Sequence, residues 1–226
     1  MNVNRFWKDK CMKYAIYKLK FQTAVHFGTG RLNETTYIFH ADQFFSALYM
    51  EALKSGHADA FYQETKQGHI VFSDGMPFVG KTYMIPKPMV YVQTDKKGSS
   101  EQKKAYKKVK YIPYDQIDIF LQGKMDMTND PMEGYGVFEQ RTLACVRKEK
   151  DTEPYRVGAF TYSENCGLYI IVGYDNENVL RLFENLMEGL SYTGIGGKKA
   201  SGLGKFVFIK GKMPDELEDC LQKQSG

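Results

Sequence analysis

The segment Gly194-Ile195-Gly196-Gly197-Lys198-Lys199-Ala200-Ser201-Gly202-Leu203-Gly204 sets five glycines and two lysines between a helical pattern and an extended one. Before it, Val179, Leu182, Phe183, Leu186, Met187 and Leu190 recur at helical spacing, and after it Lys205-Phe206-Val207-Phe208-Ile209 is a β-branched and aromatic run. The chain must therefore reverse from a helix into a strand through glycine. That order excludes the two familiar phosphate loops, which both follow a strand and open a helix. Spacing excludes them again. A Walker A run counted from Gly194 needs glycine at 199 and lysine at 200, where Lys199 and Ala200 stand, and a dinucleotide fingerprint needs its third glycine at 199. Two readings are left. One is a backbone-exposing loop whose amides approach a phosphate chain, with Lys198 and Lys199 supplying charge and Ser201 a further donor. The other is a flexible turn.

The 226 residues, 42% of them hydrophobic, suffice for one large core or two small ones. No apolar run reaches the roughly 20 residues that span a bilayer, and Met1-Asn2-Val3-Asn4-Arg5-Phe6-Trp7-Lys8 lacks a signal-peptide core, so a cytoplasmic protein is expected. Cys11, Cys145, Cys166 and Cys220 form no CxxC pair and have no histidine at zinc-ligand spacing, which predicts reduced thiols, no structural metal and no cofactor. The net charge of +4 is uneven, since residues 96 to 110 hold seven lysines against Glu101. Lys103, Lys104, Lys107 and Lys108 fall at i, i+4 spacing, where like charges repel on one helix face, so a solvated loop is expected there. Asp115, Asp118 and Asp126 share no spacing that would make them a metal site.

Along the chain, Tyr17, Leu19, Phe21, Thr23, Val25 and Phe27 alternate with Lys18, Lys20, Gln22, Ala24 and His26. Period two over this length predicts a half-buried strand with His26 on its polar face, ended by Gly28-Thr29-Gly30. Phe44, Phe45, Leu48, Ala52 and Leu53 predict an amphipathic helix from about Ala41 to Lys54, stopped by Gly56. Ile70-Val71-Phe72 reads as a second strand, and the Pro- and Gly-punctuated stretch from Asp74 to Asp95 reads as an insertion outside the core. A short helix is expected around Tyr114 to Leu121. Strands are expected at Phe138 to Val146 and Tyr155 to Tyr162, joined by the charged tip Arg147 to Glu153. Gly167 to Val172 is a continuous apolar strand, and Asp175 or Asn176 caps the helix leading into the glycine loop. The order strand, helix, strand, insertion, strand, helix, strand predicts an α+β fold of ferredoxin-like or RRM-like (βαββαβ) type. In it, residues 1–12 are an N-terminal extension, 13–211 the domain, about 74–165 the insertion with a hairpin at about 138–162, and 212–226 a tail.

Three runs together carry a resemblance: His26-Phe27-Gly28-Thr29-Gly30 before Ala41-Asp42-Gln43-Phe44-Phe45-Ser46-Ala47-Leu48, then Thr152-Glu153-Pro154-Tyr155-Arg156-Val157-Gly158, then Leu190 to Gly204. The set resembles the fourth subunit of the Csm complex, the type III-A CRISPR effector, within the RAMP superfamily of RRM-like RNA binders, over most of Tyr14 to Phe208. The resemblance implies a non-catalytic subunit that holds the 5′ tag of crRNA and joins the large polymerase-like subunit to the backbone RAMP subunits. It implies further that the hairpin is a thumb wedged into the guide-target RNA duplex. His40 stands where that family often has a small N-capping residue, so a different cap is expected. Family members also continue past the glycine loop into a second RRM-like domain, so residues 212–226 are expected to begin one.

On this resemblance the RNA-binding residues are His26, Gly28, Arg141, Arg147, Lys148, Tyr155, Arg156, Gly194, Gly196, Gly197, Lys198, Lys199, Ser201 and Gly202. Several carry a second reading. His26 is either a solvated or RNA-contacting residue or the base of a metal-independent repeat endoribonuclease, and no spacing brings His40, His57 or His69 to it as a partner. Tyr155 either stacks on a base or packs within its hairpin. Arg141, Arg147, Lys148 and Arg156 either meet RNA or form a solvated hairpin face that discourages edge pairing.

Overall fold

The computed structural model describes residues 12–90, 104, 106–126, 129–147 and 150–224, with the side chains of 145–152 and 223–224 left aside. The N-terminal extension and most of the lysine-rich run therefore lie outside the described residues, as does Lys148. The strands are β1 (Lys13–Phe21), β2 (Phe27–Gly28), β3 (Thr35–Thr36), β4 (Ile70–Phe72), β5 (Met76–Val79), β6 (Thr82–Pro86), β7 (Tyr111–Pro113), β8 (Gly136–Arg147), β9 (Lys150–Tyr162), β10 (Cys166–Tyr174) and β11 (Phe206–Gly211). The helices are α1 (Ala41–Lys54), α2 (Ala58–Lys66), α3 (Ile117–Leu121), α4 (Glu177–Thr193) and α5 (Asp215–Gln224).

β10 is the centre of an antiparallel sheet ordered β11-β1-β10-β5-β6-β7, with β4 also paired to β10. Its apolar run is buried at every position but Ile171, as expected of a strand covered on both faces. One face carries α1 and α4, whose Phe44, Leu48, Phe183 and Leu190 pack on Tyr17, Leu168 and Ile170 of the sheet. The opposite face carries Ile16, Phe78, Tyr83 and Tyr169, covered by Met213 and by Leu217 and Leu221 of α5. The tail is thus a helix seated on this sheet.

Both long helices have caps that the side-chain chemistry explains. The Asn176 side chain accepts from the amides of Asn178 at 3.1 Å and Val179 at 3.0 Å, satisfying two orphan donors of α4. At α1 the cap comes from across the fold: Asp74 accepts from the Ala41 amide at 2.7 Å and pairs with His40 Nδ1 at 3.1 Å, while Gln43 Oε1 accepts from the His40 amide. His40 replaces a small cap because a carboxylate from 33 residues on supplies the acceptor.

Three expectations are corrected. β5, inside the stretch read as an insertion, belongs to the main sheet, pairing Cys166 to Tyr169 with Val79 to Met76. The hairpin strands run further than expected, to Arg147 and from Lys150, so most of the charged stretch between them is strand. Helix α1 ends at Lys54 with Gly56 behind it at φ +74°, as expected, and α2 is an additional helix that starts at Ala58. Among the described lysines of the basic cluster, Lys104, Lys107 and Lys108 are helical, and the intervening Tyr106 stacks on Phe120 at 6.0 Å, so this part is anchored by packing.

Candidate nucleic-acid interface

The first strand ends sooner than its alternation predicts. β1 closes at Phe21, the backbone bends, and Ala24, Val25, His26 and Phe27 are then all buried. Both sides of this segment are covered. The root of the hairpin takes one side, with Val25 and Phe160 exchanging backbone hydrogen bonds of 2.8 and 2.9 Å. The glycine loop takes the other, donating from Gly204 N to Ala24 O at 2.9 Å and from Gly197 N to His26 O at 2.8 Å. Period two reports which faces one strand offers, and two outside elements override it here.

His26 is the consequence. Expected on a polar face, it is 6% exposed, and its Nδ1 donates to the Gly158 carbonyl of β9 at 2.7 Å, which fixes the tautomer because a carbonyl only accepts. It joins three segments: its ring to the hairpin, its carbonyl to the glycine loop, and its backbone to the first strand. The glycines around it are spacers. A Cβ on Gly197 would stand 2.6 Å from His26 Cδ2, and one on Gly28 would stand 3.3 Å from Nε2. Among the described residues no cluster of His, Cys, Asp and Glu could hold a metal ion.

The glycine loop is neither a flexible turn nor a fully open set of amides. Gly194, Ile195, Gly197, Ser201, Gly202 and Gly204 donate their amides to Leu190, Gly204, His26, Lys198, Lys199 and Ala24. The expectation that the amides of Gly194, Gly197 and Gly202 approach a phosphate chain is corrected, since each is spent inside the protein. What the loop presents is its side chains. Lys198 sits in the left-handed region at φ +60°, and its Nζ lies 4.6 Å from the ring centre of Tyr155 and 3.4 Å from the Tyr155 hydroxyl. Tyr155 is half-buried and carries this cation on the face of its ring.

Alternation along the hairpin separates the other predicted residues. Arg141 and Tyr155 share the face that meets the glycine loop, whereas Arg156, opposite Thr142, is exposed on the other. Arg147 ends β8, and its side chain lies outside the described residues. On the loop-facing side an open cleft of about 470 Å³ lies between Arg141 and Thr161 of the hairpin, Ser201 and Gly202 of the loop, and Gln22 and Thr23 after β1. Phe21 and Tyr162, stacked at 4.8 Å and 15° between planes, also line it. Arg141, Ser201 and Gly202, expected to act together, meet here.

Sequence reasoning misses one charged partner. Glu139 Oε1 accepts from Arg141 Nη2 at 2.7 Å, Arg141 Nε at 3.2 Å and Thr161 Oγ1 at 2.8 Å. The Thr161 hydroxyl and then the guanidinium hold its carboxyl below the usual glutamate range. The signal was in the sequence: residues 139 and 141 are two apart on a strand and must share a face.

No protein-family model matches the chain. Among solved structures, a Csm3-Csm4 subcomplex of the type III-A CRISPR-Cas interference complex superposes with a TM-score of 0.58 at 16% identity, covering 89% of this chain and 70% of that one. A Csm1-Csm4 cassette in complex with cA4 gives 0.53 at 18% identity, with 89% and 72% covered. These establish a shared mixed α/β fold built on an antiparallel sheet. Among curated proteins, the CRISPR system protein Csm4 of Mycobacterium tuberculosis (strain H37Rv) is 32% identical over 217 residues, 95% of this chain and 70% of its own length. The Csm4 of Streptococcus thermophilus is 34% identical over 219 residues, 94% of this chain and 69% of its own length, and with identity at that level over nearly its whole span the chain belongs to the Csm4 family of CRISPR proteins.

Proposed function

We propose that this Csm4-family chain is a non-catalytic RNA-binding scaffold of a type III-A effector ribonucleoprotein. It holds the crRNA 5′ tag across the corner between the glycine loop and the root of the β8–β9 hairpin, and joins the large polymerase-like subunit to the backbone subunits. The hairpin is the thumb that meets the guide-target duplex. The observation that carries the reading is the meeting of Arg141 with Ser201 and Gly202 on one open cleft, with Lys198 beside it on Tyr155. Basic and hydroxyl side chains beside a stacked aromatic pair suit single-stranded RNA, whose phosphates need cations and whose unstacked bases need flat surfaces. The strand order β11-β1-β10-β4, served by α1 and α4, supports a ferredoxin-like RRM core spanning 13–211.

His26 supports the scaffold reading over the endoribonuclease one. Its Nδ1 is committed to a backbone carbonyl and its ring is walled by glycines, which suits a structural tie. Phosphate binding then falls to Lys198 and Lys199, the two half-buried lysines of the loop. Replacing Lys198 and Lys199 together by alanine should lower the slope of log affinity against log salt by about 1.4, at about 0.7 for each single-strand phosphate no longer neutralised. A filter-binding titration of tag RNA from about 50 to about 300 mM salt measures it; an unchanged slope removes these lysines from the phosphate path.

A further inference from the structure

The lysine-rich run takes no part in the corner between the glycine loop and the hairpin. Of its lysines, Lys104, Lys107, Lys108 and Lys110 are described, and all four are exposed. Lys104 and Lys108 stand one helical turn apart, a spacing at which like charges repel. Among the described residues none of the four is paired with a carboxylate. The run is nevertheless held in place. Tyr106 stacks on Phe120 with ring centres 6.0 Å apart and 8° between planes, and Val109 is buried with Ile112 and Phe120 in a small second core. Lys87 closes this core from outside. Its Nζ lies 4.1 Å from the centre of the Tyr106 ring and donates to the Tyr106 carbonyl, while its amide donates to the Lys110 carbonyl at 2.9 Å.

A fixed row of unpaired cations fits an anionic partner, and the residue types select which kind. Tyr106 and Val109 are packed into the small core, so what the run presents outward is charge alone. Protein–protein interfaces centre on aromatic and arginine anchors and are poor in lysine. Lysine as a point charge, without a fork or an apolar anchor beside it, suits phosphates met one at a time with no reading of sequence. The placement agrees. Lys110 directly precedes β7, at the opposite edge of the sheet from β11, into which the glycine loop leads. Tyr111 of β7 meets Tyr37 at 6.2 Å, and Tyr37 meets Phe138 of the hairpin root at 6.1 Å. The hairpin root thus borders the glycine loop on one side and, through Tyr37, the strand that carries these lysines on another.

We propose that Lys104, Lys107, Lys108 and Lys110 form a second, sequence-independent surface for the phosphate backbone of a single-stranded nucleic acid, separate from the corner assigned to the tag. The same chemistry has two sources, a continuation of the tag-bearing strand past the hairpin root and a strand of its own. The surface goes beyond the tag-binding reading and does not depend on it, because its cations are anchored by Tyr106, Val109 and Lys87 and by nothing in the glycine loop.

The test uses the 226-residue chain and three probes: tag RNA alone, tag RNA extended at its 3′ end by uridines, and a separate oligouridine added to chain already saturated with tag RNA. Combining Lys104→Gln, Lys107→Gln, Lys108→Gln and Lys110→Gln should lower the slope of log affinity against log salt by about 2.8 for the extended RNA or the separate oligouridine, at about 0.7 for each of four single-strand phosphates. The slope for tag RNA alone should stay as in wild type, which also reports an intact fold. Lys→Arg at the same four positions keeps the charge and should keep every slope. An effect on the extended RNA only assigns the surface to the same strand, and one on the separate oligouridine assigns it to a second. Unchanged slopes with both probes would overturn the surface and leave tag binding standing, as would an equal loss on tag RNA alone, which would put these lysines in the tag path. Labelled poly-L-glutamate bound more tightly than oligouridine by wild type and lost in the glutamine variant would make this a surface for an acidic polypeptide and overturn the proposal. A wild-type chain that binds oligouridine through these lysines but not tag RNA would overturn the tag-binding reading and leave this one standing.

Discussion

Replacing Gly204 by alanine should cost about 4 kcal/mol or more, a large share of the roughly 5 to 15 kcal/mol by which a folded domain is ordinarily stable. Gly204 lies at φ +82°, and a Cβ built there would stand 2.1 Å from the carbonyl oxygen of Ile195, with the carbon and nitrogen of that residue at 3.0 Å. The obstacle is backbone. It is held by hydrogen bonds on both sides, from Ile195 N to Gly204 O at 3.0 Å and from Gly204 N to Ala24 O at 2.9 Å, so no rotamer change relieves it. Gly202 is the internal control. It has the same φ of +82° but nothing within 4 Å of its missing Cβ, so Gly202→Ala should cost only the left-handed penalty of about 1 kcal/mol. Urea denaturation of the two variants separates close packing from backbone freedom as the reason the loop is rich in glycine. Equal losses would mean that conformational freedom alone accounts for both.

His26→Ala is the second large effect. It strands the buried Gly158 carbonyl and opens a space between hairpin, first strand and glycine loop, for a loss of about 3 kcal/mol from the unmet acceptor and the cavity together. For a chain of this length the thermal midpoint should fall by about 10 °C. The same variant separates the two roles weighed for this histidine. A structural tie predicts that labelled repeat RNA in EDTA stays intact with wild type and variant alike, and a specific cut made by wild type and lost in His26→Ala would make it a catalytic residue.

The helices and the central strand were legible where periodicity met its own boundary signals. The α1 bounds follow from Phe44, Leu48 and Ala52 with Gly56 behind them, and β10 follows from an apolar run too continuous for an exposed strand. Element α2 was not legible because only Phe61 of its nine residues is buried, so it has almost no stripe to detect. Pro77 disguised β5. A proline argues against a central strand, yet β6 pairs with β5 only at Phe78 and Val79, so at Pro77 the strand is still partly an edge.

The site was legible in its parts and not in its assembly. Arg141, Ser201 and Lys198 could be singled out by residue type, but their meeting depends on a hairpin face selected 40 to 60 residues from the loop it touches. Alternation within β9 explains why Tyr155 joined them and Arg156 did not. His26 was misplaced for the complementary reason: sequence reports the faces of a strand, whereas burial of the second face came from the glycine loop itself.

Crosslinking tests the central claim most directly. Tag RNA carrying 4-thiouridine, bound to the wild-type chain, irradiated and digested for mass spectrometry, should label peptides from 194–205 and from the root of the hairpin at 136–143 and 155–162. Labelling confined to other surfaces, with the loop and hairpin-root peptides recovered unmodified from a saturated complex, would contradict the assignment of this corner as the RNA interface.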